Sequence, residues 1–281
     1  MKFVGLHAHT CASIGDGLNY PEDHFKFVIE NAESESMALA ITDHNSIAAL
    51  PEARKIAERE NIELITGVEI NCEGTEILGY FIDTTYEPLL KIMEENAKSI
   101  NDVTMQKFYW LKDNGYSIDL NDMMQFVGPN KMLQATHLAL ELKKKGYVPT
   151  LQDAFSIIIK KIKIDYHPKR HHTKKVIPEI INANGVAVLP HPWLLPPTIR
   201  NDFEVYVSKL KEQGLVGIET TGPHAKEDNK IIAKISEIAK AKGLVETGGS
   251  DFHGASYFPE NRLGEYTVNY SVIEKLRKKI I

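Results

Sequence analysis

Eleven histidines occur in the 281 residues, and five of them stand directly after short apolar, β-branched runs. His7 and His9 follow the first run in His-Ala-His-Thr, and His44 follows the second in Thr-Asp-His-Asn. His191 lies in Leu-Pro-His-Pro after the fifth run, and His253 in Gly-Gly-Ser-Asp-Phe-His-Gly after the seventh. Carboxylates occupy matching places: Asp16, Asp43, Glu69, Glu76, Glu219 and Asp251. Residues i and i+2 of an extended segment share a face, so His7 and His9 point together, as do Asp251 and His253. Imidazole and carboxylate suit Zn2+, Mn2+ or Fe2+ and make no use of thiolate. Five imidazoles and at least three carboxylates exceed what one ion takes, so the pattern predicts two or three divalent ions joined by bridging carboxylates. A lone histidine at a strand end is well explained as a loop hydrogen-bonder. Five converging on one face are not.

The elements that must bring these residues together are legible in the same runs. Apolar stretches at 2–6, 38–41, 63–68, 75–81, 185–189, 215–218 and 244–247 predict seven strands. Helical patterns at 21–34, 48–60, 174–182, 203–213, 226–241 and 272–281 alternate with them. Alternation of this kind predicts an α/β fold with a parallel sheet or barrel. Residues 84–165 interrupt it with helices at 89–111, 120–127, 131–145 and 151–161. This segment reads as a helical insertion without independent folding. Residues 1–83 and 166–281 supply the barrel, and the insertion is expected to cover the active site at the C-terminal ends of the strands.

Composition narrows the function classes. Hydrophobic residues at 43% and charged residues at 25% are ordinary for a globular chain. Lys plus Arg is 33 against 38 Asp plus Glu, a net charge of −5, which leaves no footprint for stable duplex nucleic-acid binding. An anionic substrate then needs local positive charge. Two cysteines, Cys11 and Cys72, make no disulfide framework, and no stretch is long and apolar enough to span a membrane. The beginning of the chain lacks a signal-peptide apolar region, so a cytoplasmic location is expected.

The segments Leu6-His7-Ala8-His9-Thr10, Gly15-Asp16-Gly17, Ile41-Thr42-Asp43-His44-Asn45, Thr66-Gly67-Val68-Glu69-Ile70, Pro190-His191-Pro192 and Gly249-Ser250-Asp251-Phe252-His253-Gly254 resemble the PHP (polymerase and histidinol phosphatase) family in order and over nearly the whole chain. The resemblance implies a distorted seven-stranded, TIM-like β/α barrel and a metal-dependent phosphoesterase. It implies that His7, His9, Glu69 and Asp251 hold a first ion. Glu69 would bridge to a second, also bound by His191, and Asp16, His44 and His253 would hold a third. Asp16, His44, Asp251 and His253 then form the catalytic set. The Gly-Ser-Asp-Phe-His-Gly segment and the helical insertion resemble the members acting on nucleotide phosphates.

Three departures stand out. Glu76 occupies the place where the family usually has a histidine ligand of the second ion, and as a carboxylate it can take that role. Ala135-Thr136-His137 replaces the Arg-Pro-His of the nucleotide phosphatases, so their bidentate Arg clamp is missing. Two extra residues separate His9 from Asp16 relative to the shortest members. Lys169 or Arg170 is the expected replacement phosphate binder, with His224 and His137 as further substrate contacts and proton donors to the leaving oxygen. Asp43 is expected to orient His44. The implied reaction is hydrolysis of a phosphate ester of a small nucleotide, a nucleoside 3′,5′-bisphosphate or a short oligonucleotide. A water shared by the ions, its pKa lowered toward about 7, would attack phosphorus. The alternatives are a phosphomonoesterase for histidinol phosphate or another small molecule, and a non-catalytic metal-binding module.

Overall fold

The computed structural model describes residues 3–31, 37–125, 127, 132–164, 168–223, 229–254 and 262–280. Seven strands form one sheet in chain order: β1 (Phe3–Gly5), β2 (Met37–Ile41), β3 (Glu63–Cys72), β4 (Thr75–Tyr80), β5 (Val186–Leu189), β6 (Gly217–Thr221) and β7 (Val245–Gly248). Among the described residues the helices are α1 (Pro21–Asn31), α2 (Leu50–Glu60), α3 (Glu87–Asp113), α4 (Leu120–Met124), α5 (Ala135–Lys144), α6 (Leu151–Ser156), α7 (Thr173–Asn182), α8 (Pro197–Arg200), α9 (Phe203–Glu212), α10 (Asn229–Ala241) and α11 (Ser271–Arg277).

Period-2 alternation sorts the strand residues into two layers. Val4, Ala38, Ala40, Ile65, Leu78, Tyr80, Val186, Val188 and Val245 fill the barrel interior, where Tyr80 Oη donates to the Leu6 carbonyl at 2.9 Å. Leu39 and Ile41 face outward onto Phe25 and Val28 of α1 and Ala53 and Ile56 of α2. Ile70, Ile77, Leu189 and Ile218 do the same against α7, α9 and α10. The sheet is nearly closed. Ala8 bridges Phe252, and the His9 N–H donates to the Phe252 carbonyl at 2.8 Å. This approach requires Gly249, where a Cβ would lie 2.2 Å from His7 Cβ and 2.6 Å from the His7 nitrogen. Gly249→Ala is expected to cost roughly 1–3 kcal/mol by overpacking. It should also displace His7, so that bound metal falls together with Tm when both are measured on the purified variant.

One strand departs from the parallel expectation. β4 runs antiparallel to both β3 and β5, while the other neighbouring pairs are parallel. The cause is local: only Glu73 and Gly74 join β3 to β4, with Gly74 at φ +74°, and so short a link permits only a hairpin. β3 therefore continues to Cys72. Glu69 and Asn71 fall on one face, opposite Leu78 and Glu76 of β4.

Between β4 and β5, α3 to α6 and a π-helical turn at Ile157–Lys161 gather a second core from Phe108, Leu111, Met123, Leu138, Leu142, Leu151 and Ile158. Leu18, from the loop after β1, packs onto it. The Gln134 side chain donates to the Ser13 carbonyl, and Thr136 Oγ1 donates to the Gly15 carbonyl at 2.7 Å. The start of α5 is thus fastened to the loop that carries Asp16.

Candidate metal centre

The segments that follow β1, β2, β5 and β7, with Glu69 within β3 and Glu76 at the start of β4, bring histidines and carboxylates to one mouth of the barrel. His7 Nε2 lies 3.1 Å from His9 Nε2 and 3.1 Å from Glu69 Oε2, and 3.3 Å from Asp251 Oδ1. His9 Nε2 is 3.2 Å from both Glu69 Oε2 and Asp251 Oδ1. One imidazole nitrogen cannot satisfy three such neighbours with a single proton, least of all when another is also an imidazole nitrogen. A cation at the centre satisfies all four. Five of the distances among these four atoms run from 3.1 to 3.3 Å, and the centre of a tetrahedron with such edges lies about 2.0 Å from its corners, the length of a zinc bond to nitrogen or oxygen. The donor set therefore fits a divalent ion.

Two further groups adjoin this one. His9, Asp16, His44 and His253 gather on one side, and His44, Glu69 and Glu76 on another. Asp16 Oδ1 is 3.0 Å from His253 Nε2 and 3.8 Å from His44 Nε2. His44 Nε2 is 3.4 Å from Glu69 Oε2, while His44 Nδ1 is buried, 3.9 Å from Glu76 Oε1, with no hydrogen-bond partner among the described residues. His191 Nε2 meets Glu69 Oε1 at 2.9 Å and Glu76 Oε2 at 3.5 Å. All nine residues expected as ligands thus converge. Glu69, wholly buried, faces His7, His9 and His44 with one oxygen and His191 with the other.

A surrounding layer fixes the imidazoles. Glu219 Oε1 accepts from His7 Nδ1 at 3.0 Å, which turns the other ring nitrogen toward the cluster. Glu219 Oε2 also accepts the His191 backbone N–H at 2.7 Å. His191 and Asp251 have φ of +27° and +44°, a region that side chains adopt at a cost and that collects at functional sites. His253 Nδ1 donates to the Asp251 carbonyl at 2.8 Å. Glu219 stood out in the sequence only as a strand-end carboxylate, with no sign of its partner 212 positions away. Glu219→Gln is expected to weaken metal affinity about 10–100-fold, read by titrating the chelated protein with Mn2+.

Asp43 does not orient His44 as expected. Its oxygens accept the Thr10 backbone N–H at 2.5 Å and Thr10 Oγ1 at 2.7 Å, which tethers the loop after His9. His44 is held by its backbone, whose N–H donates to Ser13 Oγ at 3.0 Å.

The electrostatics are those of a buried, mutually neutralising cluster. Burial alone would depress the His7 imidazole, but Glu69, Glu219 and Asp251 outweigh it and hold the ring well above the usual range. His191 is pushed up to about 9, burial being overcome by its Glu69 contact. His253 rises to about 10, against burial, through Asp16 and Asp251. Burial opposes ionisation of Asp16, yet His253 and His44 draw it down to about 2. Glu69 and Asp251 likewise lie well below the carboxylate range despite burial, because imidazoles surround them.

The expected substrate residues are placed differently. Lys169 and Arg170 are exposed and line an open groove with Glu73, Gly74, Pro168 and His171; the Lys169 backbone N–H donates to Ser99 Oγ of α3 at 2.7 Å. His137 is buried, and its Nδ1 accepts the Gln134 backbone N–H at 3.1 Å as part of the α5 cap. His224 lies outside the described residues.

The chain's family match and its relatives make this barrel, with its imidazole–carboxylate mouth, that of a metal-dependent phosphoesterase. Residues 5–174 match the PHP domain, and the chain belongs to the PHP family. It is 27% identical over 266 residues to the phosphoribosyl 1,2-cyclic phosphate 1,2-diphosphodiesterase of Eggerthella lenta, covering 89% of this chain and 93% of that one. It is 26% identical over 263 residues to the 3′,5′-nucleoside bisphosphate phosphatase of Chromobacterium violaceum, covering 90% and 88%. The crystal structure of a protein assigned to the metal-dependent phosphoesterases from Bifidobacterium adolescentis shares the fold, with a TM-score of 0.83 over 99% of this chain and 96% of that one at 22% identity. Among the described residues no helix is long and apolar enough to cross a membrane.

Proposed function

We propose that the protein hydrolyses a phosphate ester of a small nucleotide, a nucleoside 3′,5′-bisphosphate or a short oligonucleotide, using two or three Mn2+, Fe2+ or Zn2+ ions. The observation that carries this reading is the sharing of Glu69 and His9 between adjoining ligand groups, which is how a multi-ion cluster is built. His7, His9, Glu69 and Asp251 hold one ion, Glu69, Glu76 and His191 a second, and Asp16, His44 and His253 a third. Bound ions supply Lewis acidity and a water acidic enough to attack phosphorus near neutral pH. The chain's own part is orientation. Glu219 keeps His7 Nε2 turned to the cluster, and the backbone bond to Asp251 does the same for the His253 ring. Hydrolysis forms a new P–O bond and breaks the ester P–O bond, and the leaving oxygen takes a proton. His224 or His137 is the proposed donor; the His137 Nδ1 accepts in the helix cap, which keeps that ring's proton on Nε2.

Residues 84–165 form the roof in this reading. The α5 bond to Gly15, next to Asp16, supports that placement. The groove beside Lys169 and Arg170 has a volume of about 760 Å³, room for a small phosphorylated ligand, and these two residues take the place of the absent Arg clamp. The free thiols of Cys11 and Cys72 accord with action in the cytoplasm.

A second reading is favoured by the relative from Eggerthella lenta, whose named substrate is a cyclic phosphodiester of ribose. One assay separates the two. Mn2+-loaded enzyme is given a nucleoside 3′,5′-bisphosphate, a 5′-mononucleotide, a short oligonucleotide, a ribose cyclic phosphate and histidinol phosphate, with Asp251→Ala as blank. Turnover of the bisphosphate or oligonucleotide is the expected result. Turnover of the cyclic ester alone establishes the second reading, and of histidinol phosphate alone a biosynthetic phosphatase. Bound metal with no turnover of any substrate would sink the nucleotide reading.

A further inference from the structure

Three buried asparagines, distant in sequence, form one chain of hydrogen bonds that ends on Glu76. Asn96 of α3, Asn45 after β2 and Asn71 of β3 are 1%, 4% and 4% exposed. Asn96 Nδ2 donates to Asn45 Oδ1 at 2.9 Å and to the Asn71 backbone carbonyl at 2.9 Å. Asn45 Nδ2 donates to Asn71 Oδ1 at 2.5 Å, and Asn71 Nδ2 donates to Glu76 Oε1 at 2.5 Å.

Two backbone groups fix the direction of this chain. A carbonyl only accepts, so the Asn96 atom on the Asn71 carbonyl must be its NH2 group. The Asn71 backbone N–H only donates, and it points at Asn45 Oδ1 at 3.3 Å, so that atom must be the oxygen. The Asn45 amide nitrogen then faces the Asn71 oxygen, and the Asn71 nitrogen is left facing residue 76. Every link donates toward the mouth of the barrel, and the last accepts nothing back. The residue at 76 must therefore be an acceptor. A carboxylate meets that demand with Oε1 and keeps Oε2 free, 3.5 Å from His191 Nε2.

We propose that Asn71, Asn45 and Asn96 are positioning residues that hold Glu76 as a one-oxygen ligand and commit the second metal position to a carboxylate, with helix α3 as the anchor. This rests on the cluster set out under the proposed function. An imidazole at 76 would ligate through one nitrogen and turn its N–H to the Asn71 NH2, donor against donor. An acceptor at 71 would relieve that conflict and would still accept from Asn45.

The test is Mn2+ titration of the chelated full chain, reading equivalents bound and the dissociation constant of each. Asn71→Leu is expected to weaken one equivalent about 10–100-fold and leave the others unchanged. Asn96→Leu, which touches no ligand, should weaken the same equivalent by less. Asn71→Asp alone, carboxylate against carboxylate, and Glu76→His alone should each weaken it, and the double variant Glu76→His with Asn71→Asp should restore it. A loss of stability alone cannot produce that rescue, because it depends on donor and acceptor direction. Equal weakening of every equivalent, or a double variant no better than its parents, overturns the proposal while leaving the cluster intact. Absence of any Mn2+ binding by the parent chain overturns both.

Discussion

Glu69→Gln is expected to reduce phosphate release by at least about 10³-fold and to remove bound metal, although it changes one oxygen to an amide nitrogen. The reason is the number of groups that meet at this side chain. One Glu69 oxygen lies 3.1 Å from His7, 3.2 Å from His9 and 3.4 Å from His44, and the other 2.9 Å from His191. An amide carries no charge to bridge two cations, and its NH2 group would point hydrogens at nitrogens that must present lone pairs. The metal-free protein should suffer as well. Glu69 is wholly buried and is the first carboxylate to raise the His7 imidazole once burial is overcome. Removing one partner of a buried charged set costs roughly 3–5 kcal/mol. At about 2–4 °C per kcal/mol for a chain of this size, Tm of the chelated variant should fall by at least about 6 °C. The paired measurements are phosphate release from the best substrate and calorimetry in chelator. A variant that kept its metal and more than about a tenth of its activity would remove Glu69 from the centre of the site.

How much of this was legible beforehand differs between strand ends and side-chain partners. His7, His9, His44, His191, Asp251 and His253 can be read as convergent because the parallel strands of a barrel bring their C-terminal ends to one rim, whatever the side chains do. The β3–β4 hairpin is not legible, because the apolar run of β3 ends at Val68 in the sequence, four residues short of the strand's end at Cys72, and so hides how short the Glu73-Gly74 link is. That hairpin places Glu76 opposite Asn71 and so builds the second metal position. Partners chosen by geometry stayed hidden. Asp43 adjoins His44 in sequence yet binds Thr10. Asn45, Asn71 and Asn96 carry no local signal at all, because an asparagine in a loop, a strand or a helix is unremarkable until the chain brings the three amides together.

Metal removal should produce the second large effect, and its pH dependence should have a definite sign. At free metal 1,000 times the dissociation constant, one ion stabilises the fold by about 4 kcal/mol, which is roughly 8–16 °C in Tm for a chain of this size. In the metal-free protein the raised imidazoles stand in for the cations. His253 titrates near 10, against burial and because of Asp16 and Asp251, so its contribution is complete below about 6.5 and is lost as pH rises toward 10. Asp16, held at about 2, contributes above about 3.8 and loses that only as pH falls toward 2. The chelated protein should therefore be most stable near pH 4–6.5 and weaken steadily above it. The loaded protein should behave oppositely in that window, because ions bind the neutral imidazoles that rising pH supplies. The Tm difference between loaded and chelated samples should widen from pH 6.5 to 9 and close below about pH 6, where protons compete for the same nitrogens. Loading at pH 7.5 should also expel at least about three protons, one each from His7, held well above the usual imidazole range, His191 near 9 and His253 near 10, read from calorimetric heats in buffers of different ionisation enthalpy. A difference in Tm that stayed flat or narrowed with rising pH would mean that these imidazoles do not exchange protons for metal.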